Sequence, residues 1–367
     1  MTRPKRILVV YPYLHHYRYG VFRALQDHPD LDVSFVADDQ GRAGIPAVPN
    51  GLLERHSVTK VRWFRRFSWQ RGLRPYVQSA DIDSVVFLGD VWSLSTWAAS
   101  IWARRANKRV YFWTIGWHRP EGGLMARIRL RFYRQADHLL LYGSTGLELG
   151  SRAGYSPSKM TVIGNSHVSS HSRHEPRRGD LGALLPSGHA TVGAVVRLTA
   201  SKRLDLLIRA AAVLASRGRP VTVVLAGEGP ERTPLEELAR SLGVDAVFTG
   251  AVYHHDDLEE IYEHLQVTVV PAAAGLTVIQ SLAHGVPVIT DDDRYTQMPE
   301  ADAVLDDVTG ARYPSGDIDA LAAAIDGWLV RTKRSPAEVA DAARAEVLRA
   351  WTPDAQAERI AAVVTAR

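Results

Sequence analysis

The chain of 367 residues has no cysteine, which excludes disulfides, a thiolate nucleophile and any cysteine-ligated metal site. It also lacks any run of about 18 or more apolar residues, so no segment predicts a membrane-spanning helix. Met1 to Val10 holds only a short apolar stretch with no small-residue cleavage site, so no signal peptide is expected. The expected location is the cytoplasm, with the inner face of the membrane as a peripheral option. No Gly-rich run ends in Gly-Lys-Ser or Gly-Lys-Thr, which removes hydrolysis of a nucleoside triphosphate at a P-loop. Ser144 and Ser166 lack the Gly-x-Ser-x-Gly elbow that exposes a nucleophile. The adjacent pairs His15–His16 and His254–His255 have no third ligand in view, so no metal and no cofactor are expected. Short-period repeats and low-complexity tracts are absent, and the net charge is only +4.

What is present is apolar periodicity. At 46% hydrophobic residues, a chain of this length is too long for one ordinary core and predicts two domains. In the first half, strands are expected over 6–11, 32–37, 84–88, 109–114, 139–142 and 160–164. Helices are expected over 20–26, 93–105, 125–135 and 145–153. Runs rich in Val, Ile and Leu between helical periods predict a parallel sheet covered on both faces, a doubly wound α/β domain. The polar stretch 165–189, rich in Ser, His, Arg, Gly and Pro, reads as a linker. Alternation then restarts, with strands over 191–197, 221–226, 246–249, 267–270 and 286–289 and helices at 203–216, 233–242, 256–265 and 276–284. Three further helices, 318–331, 336–350 and 353–365, finish the chain. The expected division is a first domain over 1–168, a linker over 169–190, a second domain over 191–350 and a helix over 351–367. Ligands of open α/β sheets bind beyond the carboxyl ends of the strands, so two such domains would enclose a central cleft.

Val267 to Thr290, VTVVPAAAGLTVIQSLAHGVPVIT, is the most informative stretch. A β-branched strand, a tight turn of small residues and a helix opening at Gly275 make an anion site. Val192 to Asp205, VGAVVRLTASKRLD, repeats that grammar and places Arg197 and Lys202 where a strand hands over to a helix. Two such turns predict a diphosphate held between backbone amides and two cations.

The positive residues are bunched. VRWFRRFSWQRGLR, 61–74, interleaves five arginines with Trp63, Phe64, Phe67 and Trp69, and RIRLRFYR, 127–134, repeats the pattern. Such a patch suits anionic lipid headgroups and, with less selectivity, nucleic acid, which is the least favoured partner. The third reading is a solvated face whose arginine stems cover apolar neighbours.

The order of RLTASKRLDLLIRAA, VTVVLAGEGPE, VFTGAV, VVPAAAGLTVIQSLAHGVPVI, QMPE and VTGARYPSGD resembles the donor domain of family 4 glycosyltransferases of the GT-B fold. The first half is similar to the acceptor domain of a bacterial branch, through PYLHHYRYGVFRAL, FLGDVWSLSTWAA and FWTIGWHRPEG. In such folds the last helix often crosses back to the first domain. The resemblance implies metal-independent, retaining transfer of a sugar from a nucleotide-diphosphate sugar, a co-substrate, to a saccharide, lipid-linked or small-molecule acceptor. It implies that Arg197 and Lys202 stabilise the departing diphosphate and that the amides of Gly275, Leu276 and Thr277 hold its distal phosphate. The nucleobase is expected near Thr249 and Val252, with Glu228 in the neighbouring turn.

The chain also departs from the family's pattern. The usual Glu-x7-Glu pair is replaced by Ala272 and Gln280. Gln280 can still bond a ribose diol, whereas Ala272 cannot replace a carboxylate. Glu300, at a matching family position, is the acid expected to face the sugar. Ile115 stands where related sequences carry a histidine, leaving His118 as the nearby imidazole. Asp90, ending the strand SVVFLGD, is read either as a general base or as a helix cap. Tyr17 and Arg18 fill the first strand-to-helix turn and offer a cation to an anionic acceptor. Two alternatives stand beside transfer: a degenerate member that binds a nucleotide sugar without turnover, and a nucleotide-sugar epimerase of the same architecture.

Overall fold

The structure, a computed structural model, describes residues 3–42, 45–166, 181–185 and 188–366. The chain forms two compact units, one of residues 1–167 with 352–367 and one of residues 168–351.

The first unit holds β1 (Lys5–Tyr13), α1 (Tyr19–Asp27), β2 (Leu31–Asp38), β3 (His56–Val58), β4 (Val61–Phe64), β5 (Phe67–Gln70) and α2 (Leu73–Val77). It continues through β6 (Ser84–Leu88), α3 (Leu94–Arg105), β7 (Arg109–Thr114), α4 (Gly123–Tyr133), β8 (His138–Leu141), α5 (Ser144–Arg152) and β9 (Met160–Val162). Seven strands form one sheet in the order β3-β2-β1-β6-β7-β8-β9, all pairs parallel. β1, β6 and β7 are almost wholly buried, as strands covered on both faces must be. Around them Tyr11 meets Phe22 at 5.6 Å and Trp113 at 5.9 Å, ring edge to ring face.

The second unit holds α6 (Leu181–Leu184), β10 (Ala190–Val195), α7 (Leu204–Ser216), β11 (Val221–Ala226), α8 (Arg232–Leu242), β12 (Ala246–Gly250) and α9 (His255–His264). After these come β13 (Val267–Val269), α10 (Leu276–Ala283), β14 (Val288–Asp291), β15 (Gly310–Tyr313), α11 (Ile318–Arg334) and α12 (Pro336–Ala350). Its six-stranded parallel sheet runs β12-β11-β10-β13-β14-β15. Both sheets step outward from their first strand, return, and continue on its other side, which is the Rossmann order.

α13 (Pro353–Thr365) follows the second unit in the chain but belongs to the first. Thr352 caps it by accepting from Ala355 N at 3.1 Å, and Pro353 occupies its first turn, where a missing N–H costs nothing. Its apolar stripe of Ala357, Ile360, Ala361 and Val364 is buried among Val9, Phe22 and Trp113. Gln356, fully buried, accepts from Ser166 Oγ at 2.7 Å and donates to Gly164 O at 2.6 Å.

The stretch expected to be a linker is in part second-unit structure. Leu181 and Leu185 are buried with Ile261, Tyr262 and Leu265, while residues 167–180 lie outside the described set. The basic-aromatic run 61–74 is an antiparallel hairpin of β4 and β5 followed by α2, elements that its composition concealed. The hairpin's register opposes Arg62 to Trp69 and Phe64 to Phe67 on one face, and Trp63 to Ser68 and Val61 to Gln70 on the other. Ser68 and Gln70 are buried, whereas Phe64 and Trp69 are exposed. No helix among the described residues is long and apolar enough to cross a membrane.

Candidate functional site

In the second unit the strand order reverses between β10 and β13, and the crevice beyond their carboxyl ends is where such sheets bind ligands. The loops that follow these strands are bonded to each other. Ala272 N donates to Lys202 O at 3.2 Å, and Lys202 Nζ donates to Ala273 O at 2.5 Å. Thr277, in the first turn of α10, donates through Oγ1 to Val195 O at 2.8 Å. Gln297 anchors the second loop from behind: its Oε1 accepts from Ala274 N at 2.8 Å, and its Nε2 donates to Thr290 Oγ1 at 2.8 Å and Asp291 Oδ1 at 2.6 Å. Arg203 and Ala273 both take left-handed backbone conformations, φ 49° in each case, although neither is glycine. Each costs roughly 1–2 kcal/mol, which the surrounding bonds must offset.

α10 begins at Gly275 with no acid in its first turn, so its free N–H groups and the positive end of its dipole are uncompensated by its own side chains. Glu300 comes close to that end: its Oε2 lies 4.0 Å from where a Cβ on Gly275 would sit. Burial pushes the Lys202 ammonium below the ordinary lysine range, and the charge of Glu300 opposes that shift. Arg197 is exposed and pairs with no acid among the described residues. A half-buried cation, an open guanidinium and a helix N-terminus thus share the switch point, which is a chemistry suited to a diphosphate.

The other expected donor residues fall around this crevice with different degrees of commitment. Gln280, on α10, is buried, as are Thr249 and Val252 at the end of β12. Glu228 pairs through its carboxylate with Arg232, and its carbonyl accepts from Leu198 N at 3.0 Å. Its flanking glycines have a packing reason: a Cβ on Gly227 would lie 1.9 Å from Val196 O, and one on Gly229 2.1 Å from Leu198 O. Among the described residues, no group of three or more His, Asp or Glu side chains could hold a metal ion.

In the first unit the order reverses between β1 and β6. Beyond β1 lie Tyr17 and Arg18, and Arg18 is buried under the rings of Tyr142, at 4.5 Å, and Trp113, at 5.4 Å. Beyond β6 lies Asp90, whose carboxyl is pushed up by burial against the opposing pull of the Trp92 N–H and of Arg129. Asp90 does not cap α3. Its Oδ1 accepts from Trp92 N at 3.0 Å, closing a turn, and Ser93 holds the N-cap position. His118 is half-buried and its imidazole is lowered by burial and by Arg119. No hydrogen bond joins it to Asp90.

Several residues that organise these sites were not expected from the sequence. Arg129 grips Glu121 with two bonds, Nε to Oε2 at 2.6 Å and Nη2 to Oε1 at 2.7 Å, fixing the loop that carries His118. Tyr133 donates to Gly116 O at 3.0 Å, and Thr114 Oγ1 donates to Gly89 O at 2.8 Å, so the ends of β6 and β7 are tied together. Gln297 has the same organising part in the second unit, and no periodicity marks it.

Solved structures share this architecture. The lipopolysaccharide outer core galactosyltransferase WaaB superposes with a TM-score of 0.71 over 98% of this chain and 100% of its own, at 14% identity. A glycosyltransferase from Rickettsia africae gives 0.72 over 99% and 98%, at 12% identity. Anabaena HepE, crystallised with UDP, gives 0.71 over 98% and 99%, at 15% identity. The fold is GT-B, two Rossmann-like units in one chain. Residues 183–346, which lie within the second unit, match the family model of the group 1 glycosyl transferases. Among curated sequences, a Mycobacterium tuberculosis GDP-mannose-dependent α-(1-6)-phosphatidylinositol dimannoside mannosyltransferase is 33% identical over 111 residues, 29% of each chain. A D-inositol 3-phosphate glycosyltransferase of Nocardiopsis dassonvillei is 33% identical over 185 residues, 46% of this chain and 43% of its own. The chain therefore spans less than half the length of these curated relatives.

Proposed function

We propose that this protein is a glycosyltransferase that moves a hexosyl group from a nucleotide-diphosphate sugar to an acceptor glycan or aglycone. The carrying observation is the bonded pair of loops at the β10–β13 switch, where Lys202 lies beside the start of α10 inside the region that matches the family. Arg197 and Lys202 neutralise the departing diphosphate, the amides of Gly275, Leu276 and Thr277 hold its distal phosphate, and Gln280 takes the ribose. Thr249, Val252 and Glu228 border the base, and Glu300 takes the sugar hydroxyls. The second unit is the donor domain and the first is the acceptor domain, where Asp90 and His118 are the groups able to exchange a proton. No step in this scheme calls on a metal or a cofactor.

Family 4 character and retention of configuration are parts of the same proposal, as is a peripheral position on the inner face of the membrane. The membrane reading is supported by the exposed Phe64 and Trp69 on an arginine-rich hairpin. A UDP-sugar donor is supported by the UDP-bound HepE structure, and a GDP-sugar donor by the mycobacterial relative.

One observation favours a second reading, binding without turnover: a buried methyl, Ala272, stands where the family's carboxylate faces the sugar. Thermal melting of the wild type and of the Arg197→Ala, Lys202→Ala pair against UDP, GDP, dTDP, ADP and their sugars tests the donor site. A rise for one nucleotide, lost in the variant, supports transfer or binding, and release of free sugar above the variant's rate selects transfer. No rise for any nucleotide overturns both readings.

A further inference from the structure

The first unit contains a buried cation that the donor site does not use. Arg18 is 7% exposed, and its Nε and Nη1 are buried with no hydrogen-bond partner among the described residues. The polar groups that act on it are the phenols of Tyr142, Tyr11 and Tyr17, of which Tyr17 hydrogen-bonds it, with no carboxylate among them. Cation–π contact with Tyr142 and Trp113 returns part of the lost hydration but satisfies no N–H. Proteins almost always hydrogen-bond such groups, and an unpaired buried charge opposes folding. Two neighbours are buried beside it: His15 Nδ1 has no hydrogen-bond partner among the described residues, the Tyr11 hydroxyl has only the phenol of Tyr142 near it, and the Arg18 charge acts on both. The nine-residue helix α1 starts at this point, with Arg18 as its N-cap and no acid in its first turn.

We propose that Arg18, Tyr11, His15 and the start of α1 form an oxyanion subsite that takes a phosphate ester carried by the acceptor. This rests on the acceptor reading of the first unit. Arg18 presents the N–H groups of Nε and Nη1 and Tyr11 an O–H, and a terminal phosphoryl group brings three oxygens and more negative charge to these donors than the two oxygens and single charge of a carboxylate. The location agrees, because the turn after the first strand of a Rossmann-like sheet, at its switch point, is where anions bind.

The test is thermal melting of the wild type, Arg18→Met and Arg18→Lys with inorganic phosphate, glycerol 3-phosphate or acetate, and with the nucleotide panel in parallel. Phosphate at saturation should raise the wild-type melting temperature by about 3 °C more than it raises that of Arg18→Met. Without ligand, Arg18→Met should melt at or above the wild type, because it removes a buried charge that faces no carboxylate and whose Nε and Nη1 are unsatisfied. Equal phosphate shifts in wild type and Arg18→Met overturn the subsite, as does a larger shift with acetate than with phosphate. If Arg18→Met does not fold, the His15 ring followed by NMR decides: phosphate should raise its pKa in the wild type, and an unmoved pKa overturns the proposal. A glycerol 3-phosphate shift assigns a soluble phosphate ester. Co-sedimentation with phosphatidic acid vesicles by the wild type, reduced in Arg18→Lys, assigns a lipid headgroup, and either supports the subsite. A retained nucleotide shift with no Arg18-dependent phosphate shift refutes only this inference, and the converse refutes only the donor reading.

Discussion

The ammonium of Lys202 donates to the carbonyl of Ala273 at 2.5 Å, so a single side chain both joins the two loops at the strand reversal and brings a positive charge to the start of α10. Lys202→Met should therefore weaken nucleotide binding by roughly 10- to 100-fold, the value of a charge-assisted hydrogen bond of about 1.5–3 kcal/mol. Because burial lowers the pKa of this lysine, nucleotide affinity should begin to fall at a pH below the ordinary lysine range. Calorimetric titration from pH 7 to pH 10 reads both effects. Lys202→Arg should bind without the alkaline decline, and a decline that persists in that variant would assign it to another group.

Ala273 occupies a backbone conformation that favours glycine, φ 49°, in the middle of the same loop. Ala273→Gly removes a strain of roughly 1–2 kcal/mol and adds about 0.5–1 kcal/mol of unfolded-state entropy. The expected result of urea denaturation is a net gain of up to about 1 kcal/mol with nucleotide binding retained. A loss of stability would show that the loop does not hold this conformation in solution.

Gln356 satisfies the hydroxyl of Ser166 and the carbonyl of Gly164, all inside the first unit. Gln356→Ala leaves both buried and unpaired, which should cost about 2–4 kcal/mol. The loss should appear in a transition reported by the buried Trp113, with nucleotide-dependent stabilisation of the second unit unchanged.

His15 is lowered to about 4 by burial first and by the Arg18 charge second. A histidine whose folded pKa lies below its unfolded value, about 6.5, binds its proton first in the unfolded chain. The stability linked to it is therefore complete above about pH 6.5 and lost as pH falls toward about 4, by roughly 3 kcal/mol at most. His15→Phe should flatten the wild-type pH dependence of melting across that window. An equally steep dependence in the variant would place the acid sensitivity elsewhere.

Much of this architecture could be read from the sequence because the central strands are covered on both faces. β11 is buried at every position and reads as an unbroken apolar run, and the helices between strands carry a clear period. Some outer elements lacked that signal. β15 is GARY, four residues with one arginine, and β4 (VRWF) and β5 (FSWQ) are short strands joined by Arg65 and Arg66 and followed by Arg71, so the arginines in and around them masked their pairing. At the site, Lys202 and the start of α10 were visible because they sit at strand-to-helix junctions. Gln297 and the Arg129–Glu121 pair were not, since their contacts join loops that periodicity does not describe. Asp90 was visible as a position, but its partner, the Trp92 amide, depends on a turn that local composition leaves open.

The crossing of α13 has a consequence for how the chain matures. Residues 168–351 are an insertion within the first unit, and the stripe Ala357, Ile360, Ala361 and Val364 is synthesised only after that insertion is complete. The second unit can close while its chain is still emerging from the ribosome, whereas the first must wait with an apolar seam exposed until α13 arrives. A nascent chain stalled so that residue 351 has cleared the ribosome, with α13 and an appended linker still inside the exit tunnel, should therefore yield a protease-resistant second unit beside a susceptible first one. Release through residue 366 should abolish the difference.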